Sequence, residues 1–220
     1  MAKEENMLDK FLNEIKEKYE LSEIDTLGYD GIKISGMKFN IKAYRAENFG
    51  HISLMSAKGL FGIMKMDTLI VTPIEKDLPL YSYDRMRVFG RDLLMAEMFD
   101  TLLGKFDPSP INSISAEYEN LPDADAGEHW YDSIKLGGIA KKGGKKLAAV
   151  FDEFAYKHFR AFISSEAENV TDTDAKLEKS DEYVRGLLQN GGPSTDVFKK
   201  AIGQERTALL FKKVLFGTER

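Results

Sequence analysis

Asp84 is the side chain of this sequence best suited by type and setting to move a proton. It stands in "LPLYSYDRMRVFG", between Tyr83 and Arg85, inside a stretch whose composition predicts paired strands. A buried, unpartnered carboxylate in mid-strand costs several kcal/mol, so its presence there needs a reason. Two reasons are open. In a dry pocket the carboxyl keeps its proton and can donate it near neutral pH; alternatively, Asp84 forms a buried ion pair with a neighbouring arginine. Tyr44, Arg45, Tyr81, Tyr83, Arg85, Arg87 and Arg91 surround the same strands. Their guanidinium forks suit bidentate binding of ligand carboxylates, and surface salt bridges are the plain alternative.

The three histidines are His51, His129 and His158, and no two have HxH or HxxxH spacing, which speaks against a zinc site. His158 lies among core-like aromatics on a helical pattern, where a structural role is favoured. His129, in "GEHWYD", neighbours the one tryptophan in a predicted loop and could line a pocket, with ordinary packing the stronger expectation. His51 opens "HISLMSA", which places it in the sheet near the strand of Asp84. "GGIAKKGGKK" fails as a phosphate loop, because Gly144 stands where the lysine must be and no hydroxyl follows. Lys141, Lys142, Lys145 and Lys146 form either a solvated loop or a docking patch for an acidic partner.

The 220 residues are 43% hydrophobic and 30% charged, with a net charge of −5, which suits one domain and argues against nucleic-acid binding through a broad basic surface. With no cysteine, disulfides, thiolate nucleophiles and Cys-ligated iron–sulfur clusters are all excluded. No apolar leader heads the chain and no run approaches the ~18 apolar residues of a membrane span, so a cytoplasmic protein without membrane contact is expected.

The elements that must position these side chains follow from periodicity. Met7, Leu8, Phe11, Leu12, Ile15 and Tyr19 recur at helical spacing, predicting an amphipathic helix over 5–20. From 30 to 102 short alternating runs broken by glycines predict an antiparallel meander with no helical crossovers. The stretch 106–144, punctuated by Pro108, Pro110, Pro122 and glycine pairs, is expected to be irregular. Helices are predicted over 145–165, 171–192 and 194–216, the last with Ser194, Thr195 and Asp196 as capping residues. The order helix, strands, helices predicts an α+β single domain over 1–220: an N-terminal helix (1–20), antiparallel strands (30–102) and a helical layer (145–217). A three-layer α/β/α sandwich with a central antiparallel sheet is the architecture this suggests.

Two stretches resemble the ferredoxin-dependent bilin reductases, a family with distant relatives like red chlorophyll catabolite reductase. "LPLYSYDRMRVFGRDLLMAEMFD" is similar to the family's central strands, where a Leu-Pro and an aromatic precede an aspartate and the strand pair ends in another Asp. "DEYVRGLLQNGGPSTDVFKKAIGQERTALLFKKVLFG" is similar to its last segment, through "VFKKAIG" at 197–203 and "VLF" at 214–216. The resemblance covers roughly 40–102 and 180–217, and implies an antiparallel sheet between helical layers. It also implies reduction of a linear tetrapyrrole without bound metal or flavin, with single electrons from an external ferredoxin. Ferredoxin would then dock at Lys141, Lys142, Lys145 and Lys146.

By the same resemblance Asp84 matches the aspartate that shares a proton with the bilin, and His51 falls on the family's H-x-E strand motif. Ser53 stands where one branch has a catalytic glutamate, and Thr68 stands near that branch's histidine. Asn190 lies near the family's C-terminal Asn/Asp position, while Arg45, Arg85, Arg87 and Arg91 are placed to meet propionates. Three functions are therefore weighed. These are a reductase with Asp84 as acid, a tetrapyrrole- or haem-binding protein without turnover, and a structural protein with an Asp84–arginine pair and no pocket beside it.

Overall fold

A computed structural model describes residues 6–59, 62–124, 127–192 and 194–219. Helix α1 (Met7–Lys16) starts where the Asn6 side chain accepts from the Asp9 amide at 2.9 Å, satisfying an otherwise orphaned N–H. Its Leu8, Phe11, Leu12 and Ile15 form the buried stripe that the sequence spacing predicts. Residue 5, the first of the predicted helix, lies outside the described residues.

Eight strands then form one antiparallel sheet: β1 (Leu21–Ile24), β2 (Lys33–Ile34), β3 (Met37–Ala46), β4 (Gly50–Gly59), β5 (Met64–Pro73), β6 (Leu80–Val88), β7 (Arg91–Phe99) and β8 (Lys135–Gly144). The spatial order is β1-β3-β4-β5-β6-β7-β8, with β2 paired to the other end of β3. The hairpin between β6 and β7 turns on Phe89 and Gly90, both at positive φ (49° and 79°), the geometry that matches strand twist in a two-residue turn.

Helices cover both faces of the sheet. Against one lie α1, α2 (Ser109–Glu117) and α3 (Ala148–Ile163), whose Phe151, Phe154, Phe159 and Phe162 pack with Phe11, Tyr81 and Tyr83. Against the other lie α4 (Thr173–Asn190), α5 (Thr195–Ile202), α6 (Gln204–Leu209) and a C-terminal π-helical turn, Leu210–Leu215. The expected three-layer α+β sandwich is the fold observed.

Three local expectations are corrected. The sheet reaches beyond 30–102, because β1 and β8 flank it. The supposedly irregular 106–144 contains α2 and β8. Gly137 and Gly138 disguise β8 as a loop, but they let two backbones approach: a Cβ at Gly138 would sit 2.1 Å from the Ala96 carbonyl oxygen, beside a register shift at Met98–Phe99. The last helix is not continuous, because Gly203 (φ 85°) separates α5 from α6. Ser194 makes no side-chain capping bond there.

Candidate functional site

Alternation along β6 decides what Asp84 can meet. Tyr81, Tyr83 and Arg85 point to the α3 side, while Ser82, Asp84 and Met86 point to the α4–α6 side. There a cavity of about 290 Å³ lies between the sheet and the C-terminal helices. Its floor is Asp84, Thr68, Ser82 and Glu97. Its walls are Tyr131 and Tyr183, four methionines (Met55, Met66, Met86, Met95), Leu187, Phe211, Leu215 and Phe216. A second, more open cavity of about 820 Å³ shares Met95, Glu97, Ala124, His129 and Tyr131 with the first and adds Lys135 and Asp132. The two adjoin through these shared residues, and their volumes are those of ordinary small-molecule sites, about 300–1,000 Å³.

Asp84 has no cationic partner among the described residues. Thr68 donates to its Oδ1 at 2.6 Å and Ser82 to its Oδ2 at 3.0 Å. Burial pushes its pKa up; the two hydroxyls pull the other way without cancelling the rise, and the Glu97 charge adds to it. Asp84 is therefore a carboxyl biased toward its neutral form, fixed in orientation, and facing a cavity. Glu97 is paired with Lys135 at 2.7 Å. Burial alone would lower the Lys135 pKa, but its bonds to Glu97 and Asp132 outweigh that and raise it. One carboxyl biased toward its acid form beside another held in an ion pair is an arrangement suited to proton transfer. Burial, then Glu97, pushes the nearby Tyr131 phenol up to about 12, so it stays a neutral donor.

The other residues singled out from sequence are dispersed. Of them, Thr68 joins Asp84 on the cavity floor, and His129 lines both cavities, as its loop position suggested it could. His51 and Ser53 share this face of the sheet but lie beneath the C-terminal turn. His51 Nε2 is 2.8 Å from the Val214 carbonyl oxygen, and Ser53 donates to the Leu215 carbonyl at 2.7 Å. Both thus hold the cavity wall rather than face the cavity. Burial pushes the His51 imidazole down to about 4. Asn190 is exposed at the end of α4. Tyr83 is buried on the opposite face, edge-on to Phe11 with ring centroids 4.9 Å apart.

Three of the four arginines are engaged by carboxylates. Arg45 pairs with Glu75, and Arg87 with Asp67 at 2.8 Å. Arg91 is exposed beside the β6–β7 turn. Arg85, 1% exposed, borders the cavity, yet its guanidinium lies on the other face. There it grips Asp92 at 2.9 and 2.7 Å, pairs with Asp152 and donates to the Ala148 carbonyl. The buried Asp84–arginine pair is thereby overturned: residues 84 and 85 point to opposite faces, and a cavity lies beside Asp84. Of the four expected docking lysines, Lys141 is also corrected. It is buried in β8, and its ammonium donates to the carbonyls of Glu119 and Leu121 and pairs with Asp123. Lys142, Lys145 and Lys146 are exposed.

Sequence reasoning missed Ser82, Glu97, Lys135, Tyr131 and Tyr183. Period-two alternation could have found the first two: Ser82 is two residues from Asp84, and Glu97 sits between cavity-facing Met95 and Phe99. Nothing local signals the other three. Among the described residues no group of three or more His, Asp or Glu side chains is placed to hold a metal ion, and no helix is long and apolar enough to cross a membrane.

No protein-family profile and no curated protein sequence matches the chain. Among solved structures, the fold is similar to that of tomato phytochromobilin synthase in complex with biliverdin. The TM-score is 0.78 at 14% identity, over 96% of this chain and 82% of that one. The likeness is one of fold.

Proposed function

We propose that the protein is a reductase of a linear tetrapyrrole, with Asp84 as the acid that protonates the bound ligand. One observation carries this reading: Asp84, with its pKa raised by burial and with no cationic partner among the described residues, is oriented by Thr68 and Ser82 on the floor of a cavity walled by aromatics and methionines. The fold shared with an enzyme that binds biliverdin, and the sequence resemblance through the Asp84 strand, support the same substrate class.

Reducing one double bond of a tetrapyrrole adds two electrons and two protons. The electrons arrive singly from an external carrier such as ferredoxin, because a chain without cysteine cannot hold a Cys-ligated cluster. Asp84 supplies a proton and is reprotonated from solvent through the wider cavity, past Glu97 and Lys135. The flexible methionine walls adapt to a curved, extended ligand, and Tyr131 and Tyr183 offer it neutral hydrogen-bond donors.

The test is an anaerobic absorbance titration of the protein with biliverdin, followed by reduced ferredoxin. A saturable spectral shift that then bleaches or moves under reduction is expected. A shift without subsequent reduction would leave a tetrapyrrole-binding protein, and no shift at all would remove the bilin reading.

A further inference from the structure

A row of cations crosses five strands of the sheet. In the observed register Lys33 faces Lys38, Lys38 faces Lys58, Lys58 faces Lys65 and Lys65 faces Arg87. Directly opposed residues share a face, so the five form one stripe on the α3 side, beyond the area that α3 covers. With strands about 4.8 Å apart, the stripe is about 19 Å long. The four lysines are exposed, and among the described residues none of them has an ion pair; only Arg87 is neutralised, by Asp67. Like charges directly opposed destabilise a sheet. Four such pairings in series, on a chain of net charge −5, make a local feature that its overall charge does not predict.

The stripe ends beside two apolar hairpin tips: Phe89, 72% exposed, and Ile63, 49% exposed. Lys65 and Arg87 alternate with Met66 and Met86, which point through the sheet into the Asp84 cavity. A body seated on the stripe is therefore one sheet thickness from the bound ligand.

We propose that this stripe is the docking surface for an acidic electron-carrier protein, which delivers electrons through the sheet to the cavity on its reverse side. The proposal rests on the reductase reading and names the partner surface it needs. Charge complementarity selects an acidic partner and steers the encounter, while Phe89 and Ile63 supply an apolar edge. Among the described residues the strand face beside the rungs carries Asn40, Lys42 and Ser56, and Phe89 at one tip is the one exposed aromatic, so the succession of stacking rings that suits a single-stranded nucleic acid is lacking.

Binding of a plant-type [2Fe–2S] ferredoxin is measured by calorimetry on the full chain, at low salt and at about 0.3 M salt. The parent is compared with the double variant Lys58→Glu/Lys65→Glu and with Lys179→Glu, a reversal on the opposite helical layer. Ferredoxin is expected to bind the parent in a salt-sensitive manner. The double variant should lose about tenfold or more in affinity, and the control should change little. The biliverdin absorbance shift should be the same in all three. Ferredoxin that ignores the parent, or binds the double variant equally, overturns the proposal. So does stripe-dependent binding to phosphatidylserine vesicles or to single-stranded DNA in place of ferredoxin. Absence of the biliverdin shift in the parent would instead remove the reductase reading, so the two failures are separate.

Discussion

At the scale of single residues, chemistry rests on how Asp84 is held. Replacing it with Asn keeps shape and both hydroxyl contacts but removes the proton. Asp84→Asn is expected to leave the biliverdin shift intact and to lower turnover about 10²–10⁴-fold, measured as the rate of bilin consumption; undiminished turnover would refute the assignment. The same carboxyl has a stability signature. Its folded pKa is raised, so its contribution is full below the unfolded value and is lost as pH rises through the folded value. Asp84→Asn should therefore unfold at higher denaturant than the parent near neutral pH, and the gap should close in acid. Thr68 acts through Asp84, since its hydrogen bond favours the carboxylate. Thr68→Val should raise the Asp84 pKa further and move the alkaline limb of the kcat/KM profile to higher pH. An unmoved limb would mean that Asp84 does not set it.

At the scale of elements, the cavity depends on where the C-terminal segment lies. The π-helical turn Leu210–Leu215 contributes Phe211 and Leu215 to the wall and is fastened to β4 by His51 and Ser53. The chain leaves this turn at Gly217, whose φ is 63° and whose α-carbon lies against the imidazole: a Cβ there would be 2.3 Å from His51 Cγ. Both features require glycine. Gly217→Ala is expected to push the segment off β4, at a cost of about 1–3 kcal/mol in unfolding free energy, and to weaken biliverdin binding severalfold. Equal affinity in the variant would show that the wall does not shape the site. A wall fixed through main-chain carbonyls explains why His51 and Ser53 matter structurally while facing away from the ligand space.

At the scale of the whole molecule, two electrostatic effects act in different places. Burial pushes His51 and His158 down to about 4, each from an ordinary value of 6.5. Both are neutral when folded, so the stability they support is present above about pH 6.5 and is lost as pH falls toward 4. Each contributes on the order of 3 kcal/mol over that window. Unfolding midpoints should drop steeply there, and His51→Gln should make the slope shallower; an unchanged slope would assign the acid sensitivity to other groups. The cation row has the opposite character, being exposed and sensitive to salt. Lys58 is opposed by Lys38 on one side and Lys65 on the other. Lys58→Glu should stabilise the fold by about 0.5–1 kcal/mol at low salt and by little at high salt, read from thermal unfolding. A variant that is more stable but docks its partner less well would mark the row as a surface kept for binding.

Periodicity and local chemistry were enough for the layer architecture. The stripe of α1, the alternation through β3–β7 and the long apolar pattern of α3 each encode which side is buried, because helices and strands expose fixed intervals of sequence. They were enough, too, to mark Asp84 as a carboxyl out of place. They could not place β8, whose glycines match a loop until the backbone of β7 lies against them. Alternation also separates Asp84 from Arg85, because strand pleating sends adjacent side chains to opposite faces. It could not show which groups from other elements each would meet: Thr68 and a cavity for Asp84, Asp92 and Asp152 for Arg85. The cavity itself brings together Thr68, Asp84, Glu97, Tyr131 and Tyr183 from β5, β6, β7, a loop and α4. The row of cations likewise exists only through the pairing of five strands. Such groupings depend on register across distant segments, which tertiary packing sets and no local pattern contains.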